Sequence, residues 1–138
     1  MKKLKLLFIG ALSAVVLAAA RPAVAATNAE SVQKVVKTGT STTVINSGLV
    51  TSDTYTFSND GRVFLHFTKT GAGSATITVT SQATVQGLAV ANLTVTVPAT
   101  TGDVFMGPFP TSIFNDSSGN VSFTISDTTG LGFSVLSL

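Results

Sequence analysis

The sequence contains no cysteine and no tryptophan, and its 138 residues include one tyrosine and one histidine. Without cysteine the chain can form neither a disulfide nor a thiolate metal site. A single histidine excludes a multi-histidine metal centre, and any Ser/His/Asp relay would have to use His66. Packing and hydrogen bonds must therefore stabilise the fold.

Charge is also sparse, because only 10% of the residues are Asp, Glu, Lys or Arg. Half of the eight basic residues precede residue 26. The rest of the chain carries four basic residues against six acidic ones, a net charge of −2 compared with +2 for the whole chain; the four are Lys34, Lys37, Arg62 and Lys69. Nucleic-acid binding needs clustered Lys and Arg, so the sequence argues against a nucleic-acid partner.

The first 25 residues have the pattern of a secretory signal peptide. Lys2, Lys3 and Lys5 form a basic head, residues 6–20 are apolar or small, and Ala23-Val24-Ala25 is a small-x-small cleavage signature. A retained membrane anchor is the weaker alternative, because the run is shorter than the roughly 20 residues that span a bilayer. We therefore predict cleavage after Ala25, membrane contact only during export, and a secreted or cell-surface location.

From residue 42 onward, Val, Ile, Phe and Leu alternate with Thr and Ser, which is typical of half-buried strands. Turn sequences such as Asn59-Asp60-Gly61 separate the alternating segments. The pattern predicts about seven or eight short strands, beginning near Thr42, Thr54, Arg62, Ser74, Leu93, Val104, Asn120 and Leu131. We expect residues 41–138 to form one all-β domain, an antiparallel β-sandwich or jelly roll.

Two stretches depart from this alternation. Residues 63–67 are apolar on both faces except for His66, which indicates a central strand covered on both sides. His66 is expected to be packed there and satisfied by a hydroxyl or carbonyl group. Gly107-Pro108-Phe109-Pro110 cannot form a regular ladder, because its prolines lack N–H donors. We predict a rigid loop over one end of the core, with Phe109 and Phe114 beneath it.

Residues 26–40 form a polar, irregular segment whose apolar residues are Val32, Val35 and Val36. Their spacing permits one or two helical turns, but a flexible N-terminal arm is favoured for a segment just after a cleavage site. The three valines are the candidate assembly residues, because an extended arm can add to the open sheet edge of a neighbouring copy. A disordered tail is the alternative.

No catalytic, cofactor-binding or metal-binding motif is present, and we predict a protein that is not an enzyme and needs no cofactor. The aspartates are scattered through predicted turns, and no spacing selects the carboxyl pair of a glycosidase. The segment from Asp116 to Asn120, followed by Asp127, resembles a calcium loop only weakly, because the sixth-position glycine and the terminal glutamate are missing.

Several motifs in residues 54–138 occur in an order that resembles a group of small β-rich tailed-phage proteins, regarded as capsid-decorating or head-associated. The motifs are Asn59-Asp60-Gly61-Arg62-Val63-Phe64-Leu65-His66-Phe67, Thr84-Val85-Gln86-Gly87-Leu88-Ala89-Val90-Ala91, Leu93-Thr94-Val95-Thr96-Val97-Pro98-Ala99, Gly107-Pro108-Phe109-Pro110 and Phe114-Asn115-Asp116. The resemblance implies a non-enzymatic assembly module, with a capsid lattice as its partner. Two features depart from it: the export leader, and Gln86 in place of the more usual acidic residue before Gly87.

The sequence therefore predicts an exported, self-assembling structural subunit of a filament or surface coat, whose partners are copies of itself. One alternative is a phage capsid decoration protein located in the virion. The other is a secreted monomeric binding domain.

Overall fold

The computed structural model describes residues 24–138. The predicted signal peptide therefore lies outside the described residues, except for Val24 and Ala25. The described part contains eleven strands and one short helix. They are β1 (Thr27–Glu30), β2 (Gln33–Lys34), β3 (Thr54–Ser58), β4 (Val63–Lys69), β5 (Ala75–Val79), β6 (Thr84–Val85), β7 (Leu88–Ala89), β8 (Leu93–Val97), β9 (Gly102–Met106), α1 (Thr111–Phe114), β10 (Asn120–Ile125) and β11 (Leu131–Ser137).

Two sheets form the sandwich. One has the strand order β1-β3-β10-β5-β8, the other has the order β2-β11-β4-β9, and β6 and β7 form a separate hairpin. Neighbouring strands are antiparallel, except that β1 runs parallel to β3 and β2 runs parallel to β11. The predicted all-β sandwich is confirmed, with a mixed rather than purely antiparallel strand arrangement at one side.

The core follows from the two-residue alternation of the strands, which turns every second side chain inward. In β4, Val63, Leu65 and Phe67 are buried, whereas the side chains between them are only half-buried. Aromatic rings join the two sheets: Phe123 of β10 contacts Phe133 of β11 edge-to-face, with 5.3 Å between ring centroids. Such contacts help to stabilise a fold that has no disulfides.

The proline loop and the central position of β4 are confirmed, but only one face of β4 is fully buried, because Phe64 and His66 on the other face are half-buried. β4 lies between β11 and β9 in the four-stranded sheet. Phe109 and Phe114 are buried and contact each other edge-to-face at 5.8 Å. The Asn59 side chain holds the loop by donating a hydrogen bond of 2.9 Å to the Phe109 carbonyl.

Residues 26–40 differ from the flexible arm that we expect from the sequence. They contain β1 and β2, so they belong to the sandwich, and residues 26–40 contain no helical turn. The Thr54 N–H donates to the Ala26 carbonyl, the Val35 N–H donates to the Ser137 carbonyl, and Val32 packs against the core. The segment is paired rather than irregular because both sheets offer an edge within its reach.

Two further differences concern residues 42–53 and 84–89. The strand expected near Thr42 is reduced to an isolated bridge between Ile45 and Phe133. The β6–β7 hairpin was not expected; Gln86 and Gly87 have φ values of 51° and 81°, as a tight hairpin turn of type I′ requires. No helix among residues 24–138 is long and apolar enough to cross a membrane.

Candidate functional site

The outer face of the four-stranded sheet carries an open apolar groove of about 320 Å³, which we call the Phe105 groove. Phe64 of β4 and Phe105 of β9 point outward here, and Phe105 is 63% exposed. Met106, Pro108 and Leu138 extend the apolar lining, and Arg62 lies at its margin. A large aromatic side chain exposed in this way is a feature of binding surfaces.

His66 lies next to this groove. Its ring stacks on Phe105, with centroids 4.2 Å apart and planes 8° from parallel, and its Nε2 lies 2.7 Å from Oδ1 of Asp103. The hydrogen-bond partner of His66 is thus a carboxylate, whereas we expected a hydroxyl or carbonyl group. Within residues 24–138 no serine hydroxyl hydrogen bonds to the imidazole, so the pair does not extend to a Ser/His/Asp relay.

A second exposed apolar feature is the tip of the β6–β7 hairpin. Val85 and Leu88 face each other across the hairpin and are 62% and 75% exposed. Sequence reasoning missed this tip, although Gln86-Gly87 between two apolar pairs is a short hairpin signal.

The hairpin leads into β8, the edge strand of the five-stranded sheet. Residues 71–102 contain no charged residue, so β8 has none of the lysines that commonly protect an edge strand. Leu93 is 38% exposed although its side chain faces the core side of the sheet, and Val95 is only half-buried. The core is therefore incompletely covered along this edge.

The three candidate assembly valines of the arm differ in how far they are exposed. Val32 is used inside its own sandwich, whereas Val35 and Val36 are 38% and 45% exposed. The outer edge of β2 is occupied by its own following loop, since the Thr40 hydroxyl donates to the Lys34 carbonyl and accepts from the Val36 N–H. The arm side of the sandwich is thus more closed than the side formed by β8 and β9.

Several carboxylates act as structural acceptors. Oδ1 of Asp116 accepts from the N–H groups of Ser118 and Asn120, at 2.8 and 2.9 Å, so the weak calcium-loop candidate is a turn closed by its own backbone. The Arg62 backbone N–H and guanidinium lower the pKa of Asp60. Among the described residues, no three His, Asp or Glu side chains lie together as a metal site would need.

Comparisons with protein-family models, with curated proteins and with solved structures find no match to this chain. The resemblance to phage head-associated proteins remains a prediction.

Proposed function

We propose that the processed chain is an exported, non-enzymatic structural subunit that associates with copies of itself into a filament or surface coat. The observation that carries the proposal is that two separate apolar surfaces are exposed on different sheets. One is the β8 edge with its hairpin tip, and the other is the Phe105 groove. A subunit with one self-complementary surface closes as a dimer, whereas two surfaces permit a chain or lattice.

The β8 edge supports a contact between two copies through main-chain pairing. Its outward side has no neighbouring strand in the described chain, and it carries only Leu, Thr and Val. A second β8 can add there by backbone hydrogen bonds, while burying the exposed parts of Leu93 and Val95. No charge on either strand opposes this pairing, which favours a second copy over a charged partner.

The Phe105 groove supports a second contact of different chemistry. Its lining is apolar, and the charged side chains beside it already have partners: Arg62 with Asp60 at 3.0 Å, and Asp103 with His66 at 2.7 Å. An uncharged apolar segment can therefore enter without leaving an ion unpaired. The uncharged hairpin tip of another copy has this chemistry.

A secreted binding domain is the second candidate, because the groove volume lies at the lower end of the roughly 300–1,000 Å³ of small-molecule sites. Capsid decoration would use the same surfaces on a lattice made by other proteins. The three proposals differ in what the purified chain does alone, because only the first requires it to assemble without a partner.

The test is sedimentation velocity and negative-stain electron microscopy of the chain that begins at Ala26. We expect filaments or large oligomers, and we expect Thr94→Lys in β8 to shift them toward monomer by adding charge to the edge. Thr124→Lys is the matched control, since Thr124, Thr78 and Thr94 occupy one row across β10, β5 and β8. Monomers of the unmodified chain at every concentration would overturn the proposal in favour of a binding or decorating role.

A further inference from the structure

The backbone nitrogen of Ala26 lies 3.0 Å from Oδ1 of Asp53. Asp53 is only 7% exposed, and its other oxygen accepts a 3.0 Å hydrogen bond from the Asn28 side chain. Both donors are neutral while Ala26 remains in a peptide bond. This carboxylate is thus largely buried and held by neutral groups.

A buried carboxylate is costly unless a cation accompanies it. Among the described residues Arg62 and Lys69 form ion pairs with Asp60 and Asp127, His66 contacts Asp103, and none of these contacts includes Asp53. Nothing else in residues 24–138 brings a basic side chain to this carboxylate. Within the part of the chain that the structure describes, this largely buried carboxylate therefore has no cationic partner.

Signal-peptide cleavage would supply that cation. The sequence predicts cleavage after Ala25, which would convert the Ala26 nitrogen from an amide into an α-ammonium group. We infer that Asp53 is the acceptor site for this α-ammonium, so that removal of the leader turns a neutral hydrogen bond into an ion pair with a largely buried carboxylate. The inference depends on export processing and is independent of the proposed assembly.

Strand register makes the site specific for one cleavage position. β1 pairs in parallel with β3 so that Thr27 lies opposite Thr54, and the Thr54 N–H donates 2.9 Å to the Ala26 carbonyl. Beginning the chain at Ala25 would move the ammonium by about 3.3 Å along the strand. Beginning it at Thr27 would remove both the amine and the carbonyl that pairs with Thr54.

The ion pair would secure β1 at the edge of the five-stranded sheet. Because β1 leads through Val32 into β2, the same contact would hold the whole of residues 26–34 in their own sandwich. The uncleaved precursor would hold this segment less tightly. Leader removal would thus be a step that completes the fold.

The experiment is a cycle of four proteins that begin at Ala26, which is possible because every strand and the core lie within residues 26–138. The chain and its Asp53→Asn variant are each compared with and without N-terminal acetylation, which removes the charge without adding a residue. We expect acetylation to lower the folded-to-unfolded ratio about tenfold with Asp53 present. It should change the ratio little in Asp53→Asn.

Equal effects of acetylation in both backgrounds would overturn the inference. If Asp53→Asn does not fold, the free and acetylated chains are compared at pH 7 and pH 10, on either side of the ordinary α-amino pKa of about 8. The stability difference should shrink at pH 10, and an unchanged difference would contradict the ion pair. Mass spectrometry of the exported protein must also find Ala26 as the first residue. Any other first residue would contradict the inference that Asp53 binds the α-ammonium of Ala26.

Discussion

Lys69 Nζ lies 3.0 Å from Oδ2 of Asp127, at a position where an apolar side chain would be expected. Lys69 ends β4 in phase with the buried residues of that strand, and its side chain is fully buried, whereas the Asp127 side chain is 28% exposed. The ammonium also donates 2.7 Å to the Thr129 carbonyl. One buried cation thus joins the end of β4 to the loop between β10 and β11.

Replacing this cation should weaken the fold. We expect Lys69→Met to lower the free energy of unfolding by about 1–3 kcal/mol, because the Thr129 carbonyl loses its donor while the methylene packing is largely retained. Urea denaturation measures the change. Lys37→Met is the control, since Lys37 is exposed and should alter stability little. Equal stability of Lys69→Met and the unmodified chain would show that the buried pair adds nothing.

Acid should remove part of the same interaction. The Thr129 backbone N–H, followed by the Lys69 side chain, lowers the pKa of Asp127 below its ordinary value. A carboxyl whose pKa is lower in the folded state contributes stability above its unfolded pKa of about 3.9, and that stability is lost as the pH falls through the folded pKa.

We therefore expect chemical denaturation between pH 5 and pH 2 to show decreasing stability, with a shallower decrease in Asp127→Asn. Asp60→Asn is the comparison, because Asp60 also has a lowered pKa but lies in an exposed pair, which solvent weakens. If stability falls with pH equally steeply in Asp127→Asn and in the unmodified chain, Asp127 does not contribute to the acid sensitivity.

Glu30 should have the opposite pH dependence. It lies half-buried in β1, and burial raises the pKa of its carboxyl. Ionisation is then less favourable in the folded state, so stability is highest below the unfolded pKa of about 4.3 and falls as the pH rises through the folded pKa. Glu30→Gln should stabilise the fold at pH 7 and leave it unchanged at pH 3. If Glu30→Gln gains the same stability at both pH values, the gain comes from packing and not from the ionisation of Glu30.

Local patterns predicted the sandwich better than they predicted its exposed surfaces. The apolar run of residues 63–67, which interrupts the alternation, placed β4 in the centre of a sheet, and the proline content placed Phe109 beneath a loop, because both signals depend on nearby residues. The docking of Val32 depends on partners at β3 and β11, which are distant in sequence. The sequence did not predict that Phe105 is exposed, because an apolar residue in a strand does not indicate which face of the sheet will be covered by other residues.

The hairpin tip gives a test of assembly that should leave the fold intact. Leu88→Lys places a charge on a side chain that is 75% exposed, so thermal stability should change little while the sedimentation coefficient falls toward that of a monomer. Thr84→Lys adds the same charge at another exposed position of the hairpin and should retain assembly. Assembly that survives Leu88→Lys would remove the tip from the contact.

The Phe105 groove and the N-terminal arm are the two candidates for the second contact surface, and single substitutions distinguish them. Phe105→Ser removes an aromatic ring that is 63% exposed, and Val36→Ser removes an apolar side chain that is 45% exposed. We expect only Phe105→Ser to reduce filament length in electron micrographs, because the edge beside Val36 is already occupied by Thr40 of its own chain. Circular dichroism should show both variants folded, since neither side chain belongs to the core. If Val36→Ser shortens filaments and Phe105→Ser does not, the arm makes the contact after all, and Val35 and Val36 join copies through a surface that Thr40 only partly covers.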